Sequence, residues 1–456
     1  MIRATHIRRT ICAAMAALLL CTACGEVGEN KPAPSDNGTP AAASEADETA
    51  SETSNSAVYE TTESVSETEA PAENAERSLL SSFADFSGKL LKTACEKDIE
   101  DGKNVLISPE SVLTALGMTA NGAEGETLAA MQNVLAGGAD IDTMNKELGY
   151  LSEHIPSTDK VKINTANAIW ANETSDFAMS HEFVEKVRQA YGAECQSKKF
   201  DPSIINEVNG WVNEKTDKMI PSILPDMSDD EIAAMRAVLV NAVAFDAKWE
   251  EESSEYDVFE DVDFTNSKGE TEKCTLFKNE VENYFHDGDV QAFIKPYAGG
   301  QYAFMGILPN KGTSVSDYIS KLDGERWYAL WDSRADELTQ SYIPEFKYDY
   351  SNELSKHLCE MGMEAAFSDA ADFSGMEIQH RKSVSISAVF HKTHIEVDRK
   401  GTKAAAATAV VMSTLQSIHP SPQPHIIKLD RPFIYAIVDV ETGFPVFLGA
   451  VNTVKS

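Results

Sequence analysis

Residues that commonly do chemistry are plentiful in this chain, but none fall at working spacings. Ten histidines and many serines and aspartates are present. Yet no G-x-S-x-G elbow, no H-E-x-x-H pair, no phosphate-cradling loop and no G-x-G-x-x-G turn occurs. His181-Glu182 begins like a zinc-protease helix, but no second histidine follows at the spacing that would put both rings on one face. It reads as a surface pair. No catalytic residue, metal or cofactor is expected. The informative stretch is one that would be acted upon: Gly401-Thr-Lys-Ala-Ala-Ala-Ala-Thr-Ala-Val-Val-Met-Ser-Thr-Leu-Gln416.

As a helix this stretch is plausible, because its four consecutive alanines are strong helix formers. As a strand its two faces sort cleanly. Thr402, Ala404, Ala406, Thr408, Val410 and Met412 share one face, and Lys403, Ala405, Ala407, Ala409, Val411 and Ser413 the other. The single charge lies on the second face. A segment that slides between two existing strands needs small, uncharged residues on its buried side and no proline, which would remove a ladder donor. Residues 401–416 satisfy this, whereas Ser417-Ile-His-Pro-Ser-Pro-Gln-Pro424 cannot continue in a central strand.

Such a segment needs a large sheet to receive it, and the flanking sequence supplies one. Leu79, Leu80, Phe83, Phe86 and Leu90 fall on one helical face, and Ser111-Val-Leu-Thr-Ala-Leu-Gly-Met is apolar at helical spacing. Later runs such as Ala237–Phe245 and Tyr302–Leu308 are short, apolar and rich in β-branched or aromatic residues, as buried strands are. Phe433–Asp439 and Pro445–Val451 read as a hairpin around Glu441-Thr-Gly. Helices first and strands later predict one α+β domain over 77–456, with mostly antiparallel sheets.

Two other segments precede that domain. Arg3, Arg8 and Arg9 head an apolar run, Ile11–Leu20, that is too short to span a membrane, which is the layout of a secretory leader over 1–23. The small residues before Cys24 resemble a bacterial lipobox, with Cys24 as the lipid attachment point, although Cys21 stands where leucine is usual. Simple secretion after Ala23 is the other reading, and both place the chain outside the cytoplasm, as a cell-surface lipoprotein or a secreted protein. Residues 24–76 are mostly Ala, Ser, Thr, Glu and Pro; they bury too little apolar surface to offset chain entropy and are expected to form a disordered acidic tether. With 73 Asp and Glu against 39 Lys and Arg, the net charge of −34 disfavours nucleic acid and anionic lipid as partners. Membrane contact would be through the lipid alone. Of seven cysteines, Cys95, Cys195, Cys274 and Cys359 lie outside the leader, too scattered for a zinc ribbon or a dense disulfide framework. A single disulfide stays open.

Glycine, threonine, a variable residue and an alanine run, this far from the carboxyl terminus, resemble the hinge of a serpin reactive loop. Asn104-Val-Leu-Ile-Ser-Pro-Glu-Ser, Asn121-Gly-Ala-Glu-Gly-Glu-Thr, Leu239–Trp249, Leu358–Phe367, His391–Val397 and Asp430-Arg-Pro-Phe433 match the same family in order. The resemblance implies three mostly antiparallel β-sheets with about nine helices and an exposed reactive-centre loop at about 399–429. It implies an inhibitor, not an enzyme, that acts as a monomer and is consumed in a covalent acyl complex with a serine protease. In the family's register the reactive bond is Leu415–Gln416, and an apolar Leu415 suits elastase-like, chymotrypsin-like or subtilisin-like enzymes. The long stretch after Gln416 leaves Met412, Thr414 and Ser417 as alternatives. Gly401, Thr402, Ala404, Ala405, Ala406, Ala407 and Thr408 would form the hinge. By the same resemblance Ser108, Ser111, Asn241 and His391 form a polar cluster beneath the main sheet, and Trp249 sits where the loop enters. Where the family pairs a glutamate with a lysine, this chain has Arg399 and Glu345, which predicts a bridge of reversed sign. A non-inhibitory member acting as substrate, carrier or adhesion module is the second reading, and a surface lipoprotein binding a small solute the third.

Overall fold

The computed structural model describes residues 70–153, 160–173, 177–379, 384–402 and 423–455. The leader, Cys24, most of the tether, Ala404 to Thr408 and the Leu415–Gln416 bond lie outside them. The first described element, helix α1 (Ala70–Glu100), starts inside the stretch expected to be tether. Alanine and glutamate serve either state, and Pro71 falls in the first turn, where a missing N–H costs little. From Leu79 onward the helical pattern is cashed in: Leu79, Leu80, Phe83, Phe86, Leu90 and Leu91 are all buried.

Helices α2 (Pro109–Ala120), α3 (Gly125–Ala136), α4 (Ile141–Glu153), α5 (His181–Tyr191), α6 (Ser203–Lys215) and α7 (Asp229–Ala234) follow in the first half. Four short ones come later: α8 (Val315–Ile319), α9 (Gly324–Asp332), α10 (Ser355–Leu358) and α11 (Glu364–Phe367). Strands β1 (Val105–Ile107), β2 (Val161–Asn172), β3 (Glu194–Lys198), β4 (Ala237–Lys248), β5 (Val258–Thr265), β6 (Thr271–His286), β7 (Val290–Pro296) and β8 (Tyr302–Pro309) are followed by β9 (Ala335–Pro344), β10 (Phe346–Glu353), β11 (Val389–Asp398), β12 (Gly401–Thr402), β13 (His425–Lys428), β14 (Phe433–Asp439) and β15 (Pro445–Val451).

The main sheet has the order β10-β11-β12-β4-β2-β3, with β11 and β4 also paired directly. A second sheet runs β1-β15-β14-β8-β7, and the long β6 carries it on into a third, β5-β6-β9-β13. Most pairs are antiparallel, but β2–β3, β4–β11 and β9–β13 are parallel. Strand β4 is buried on both faces. Leu239, Val243, Phe245 and Ala247 join the main core. Val238, Val240, Ala242 and Ala244 join a second cluster with Ile204, Val208 and Val212 of α6. The period-2 alternation thus feeds two cores at once, and helix α6 covers the outer face of the sheet.

Candidate functional site where the main sheet parts

Two local features set the lower half of the site. Ser108 caps α2, its Oγ taking the Ser111 N–H, and Pro109 occupies the first turn. Below the opening, β11 and β4 lie side by side from Val389–Leu239 to His394–Ala244, with His391 opposite Asn241. The Ser108 N–H donates to His391 Nε2 at 3.0 Å. That bond leaves Nε2 bare, so the proton sits on Nδ1 and is directed at Asn241 Oδ1, 2.9 Å away. Asn241 Nδ2 donates to Ser111 O (2.7 Å) and Asn167 Oδ1 (2.8 Å), and Ser108 Oγ donates to Val446 O (2.9 Å). Thr393 adds a bond to Leu106 O on β1 at 2.9 Å. The four predicted residues are thus brought together, all at or below 1% exposed. Burial pushes the His391 imidazole down to about 3, so it is neutral near pH 7.

Above His394 the two strands diverge, and β12 lies between them. Gly401 and Thr402 pair antiparallel with Asp398 and Val397 on one side and with Lys248 and Ala247 on the other. The turn that brings them there is built by Asp398, whose carboxylate accepts the N–H groups of Lys400 (2.7 Å) and Gly401 (3.1 Å). A Cβ on Gly401 would stand 2.2 Å from Ala247 O, so only glycine fits the entry point.

Aromatic side chains floor this entrance. Trp249 is 2% exposed. Its indole N–H donates to Asp398 O at 2.8 Å, and its backbone N–H donates to Lys400 O at 3.1 Å. The ring stacks on Tyr297 at 4.5 Å and 11°, and the Tyr297 hydroxyl meets Thr402 Oγ1 at 2.7 Å. Lys295 lies over the other part of this group, its Nζ 5.1 Å from the Trp249 ring centre and bonded to Glu251 O at 2.8 Å. Burial brings its ammonium down to about 8, opposed by the nearby Glu251.

The predicted bridge between Arg399 and Glu345 is not formed. The Arg399 guanidinium reaches Glu255 at 3.5 Å instead, because the Ser253 N–H donates to Arg399 O (3.2 Å) and draws the segment after Trp249 against the turn. Glu345 is raised above the usual carboxylate range by burial first and Asp398 second, against the Arg399 backbone N–H and the guanidinium field. The two residues are neighbours without an ion pair.

Sequence reasoning missed Asn167, Tyr297, Lys295 and Asp398. Only Asp398 left a signal, an aspartate three before a glycine, which marks a turn. Cys95, Cys195, Cys274 and Cys359 are all free thiols, so the disulfide left open is not made.

Residues 81–454 match the family described as Serpin (serine protease inhibitor). The chain belongs to the serpin family. An uncharacterized serpin-like protein of Thermococcus kodakarensis is 31% identical over 360 residues, 78% of this chain and 82% of its own. Serpin B6 of Macaca fascicularis is 31% identical over 379 residues, 80% of this serpin and 96% of its own length. The thermophilic serpin Tengpin, solved in its native state, superposes with a TM-score of 0.75 at 37% identity, covering 82% of this chain and 94% of that one. The fold is the serpin fold, and the family is one of protease inhibitors rather than catalytic enzymes.

Proposed function

We propose that this serpin is a single-use, irreversible inhibitor of elastase-like, chymotrypsin-like or subtilisin-like serine proteases. The observation that supports it is β12, two residues already seated between β4 and β11, above a seam where the same strands pair directly. The protease serine attacks the Leu415 carbonyl, the Gln416 amine leaves, and an acyl-enzyme remains. The freed segment then extends from Thr402 down the seam. Thr402 shares its face with Ala247 in the main core. A continued strand would therefore send Ala404, Ala406 and Thr408 inward and Lys403, Ala405 and Ala407 outward. About 14 residues at 3.3 Å each carry the tethered protease roughly 45 Å. About a dozen new ladder bonds near 1 kcal/mol each release on the order of 10 kcal/mol, enough to distort a docked active site.

Incubation with pancreatic elastase tests this. A covalent complex that survives a denaturing gel is expected; cleavage of the loop without any such complex would assign the chain to the substrate or carrier reading. The leader and Cys24 extend the proposal to a lipid-anchored, extracellular protein working as a monomer. Labelling with radioactive palmitate should be lost in Cys24→Ala, and label retained in that variant would refute the anchor.

A further inference from the structure

Among the described residues, four large apolar side chains are exposed: Tyr256 (95%), Phe259 (41%), Ile378 (61%) and Ile426 (65%). Phe259 and Ile426 lie on one face of the sheet β5-β6-β9-β13, and Tyr256 sits in the turn that leads into β5. Ile426 on the edge strand β13 lies beside Gln340, which donates to Glu280 at 3.0 Å. One row along, Lys428, Tyr342 and Lys278 are in register, and the Phe259 ring stands 6.0 Å from Tyr342. Tyr256 precedes Phe259 by three residues in the same segment.

This face adjoins both ends of the loop. At the amino end, the segment carrying Tyr256 is tied to the turn before Gly401 by the Trp249 and Ser253 N–H bonds and by Glu255–Arg399. At the carboxyl end, β13 begins at His425, just after the loop. Residues 250–263 carry eight acidic side chains and no basic one; Glu250, Glu252, Glu255 and Glu260 are exposed.

We infer that this face docks the body of the protease that seizes the loop, and that it favours a protease with a basic surface. The inference rests on the inhibitor reading above. Exposed aromatic and aliphatic anchors beside charged residues are what a protein contact uses, and acidic residues at its edge raise the encounter rate of a cationic partner. A second copy of this chain is disfavoured as occupant, because both copies would carry a net charge of −34.

The test compares the rate of loop cleavage by a cationic elastase in wild type, in Tyr256→Ser with Ile426→Ser, and in Glu252→Lys with Glu260→Lys. The rate should fall roughly tenfold in each pair, and the wild-type dependence on salt should flatten in the lysine pair. A free peptide spanning 399–429 should be cut at one rate throughout. Rates within twofold of wild type in both pairs would overturn the inference. So would a wild-type dimer in sedimentation that the serine pair dissolves, because the face would then belong to a second copy. Cleavage rate reads docking, whereas the gel-stable complex reads trapping, so failure of either proposal is seen separately. Equal thermal midpoints establish that the variants are folded.

Discussion

Thr402 and Tyr297 share a hydrogen bond of 2.7 Å between hydroxyls that are both shut off from solvent. It fastens the last described residue before the alanine tract to the loop between β7 and β8, and through the Trp249 stack to the turn at Asp398. The entrance is therefore already formed before any cleavage.

Tyr297→Phe leaves the Thr402 hydroxyl buried without that partner, an effect of about 1–3 kcal/mol. The variant should unfold at lower denaturant and need more inhibitor per protease trapped. Thr402→Val added to it should recover part of both. A double variant that merely sums the single changes would mean the two hydroxyls are not coupled.

Gly401→Ala places a methyl group against Ala247 O, and the strands must separate to admit it. A loss of about 1–3 kcal/mol is expected. Insertion should also start late, so deacylation competes and more loop is cut without trapping. Titration of active protease measures this as a rise in stoichiometry; unchanged stoichiometry would exclude the turn as the starting point.

His391 has a folded-state pKa of about 3 against an ordinary 6.5. The unfolded chain binds the extra proton between those values, so stability rises with pH there. The contribution is whole above pH 6.5 and is lost as pH falls toward 3, on the order of a few kcal/mol. Thermal melts from pH 7 to pH 4 should show this decline, with a shallower one in His391→Gln, which can still donate and accept. Parallel declines in the two proteins would place the acid sensitivity elsewhere.

Leu415→Arg should shift preference from elastase-like to trypsin-like enzymes, since a basic side chain suits an acidic primary pocket. Rates of complex formation with the two proteases measure it. An unchanged ratio would move the reactive bond to Met412, Thr414 or Ser417.

The polar cluster under the seam was legible only through the family pattern, since Ser108 meets His391 across 283 positions and Asn241 meets it across 150. Locally, Ser111-Val-Leu-Thr-Ala-Leu-Gly-Met reads as a helix, and Gly401-Thr402 followed by alanines reads as a strand with room for nothing large. Of the floor of the entrance only Trp249 was legible, by the same resemblance; its partners were not. Tyr297 meets Thr402 across 105 positions and Trp249 meets Asp398 across 149, and no spacing rule links residues so far apart. The Arg399 partner was hidden for the same reason: inverted signs at 345 and 399 invite a pair, but only the fold brings the exposed Glu255 to the guanidinium. The parallel β4–β11 pairing was equally hidden, because a strand buried on both faces has the same apolar run whichever way its neighbour points.

Strand β1 finds its partner in β15, and Ser108 Oγ is bonded to Val446 O, so the polar cluster under the seam is finished by residues that follow β4 and β11 in the chain. A nascent chain holds β4 and β11 before it holds that fastening. A chain cut short ahead of Val446 would lack both that fastening and the buried strand that joins β1 to β14, and should fail to close the second sheet.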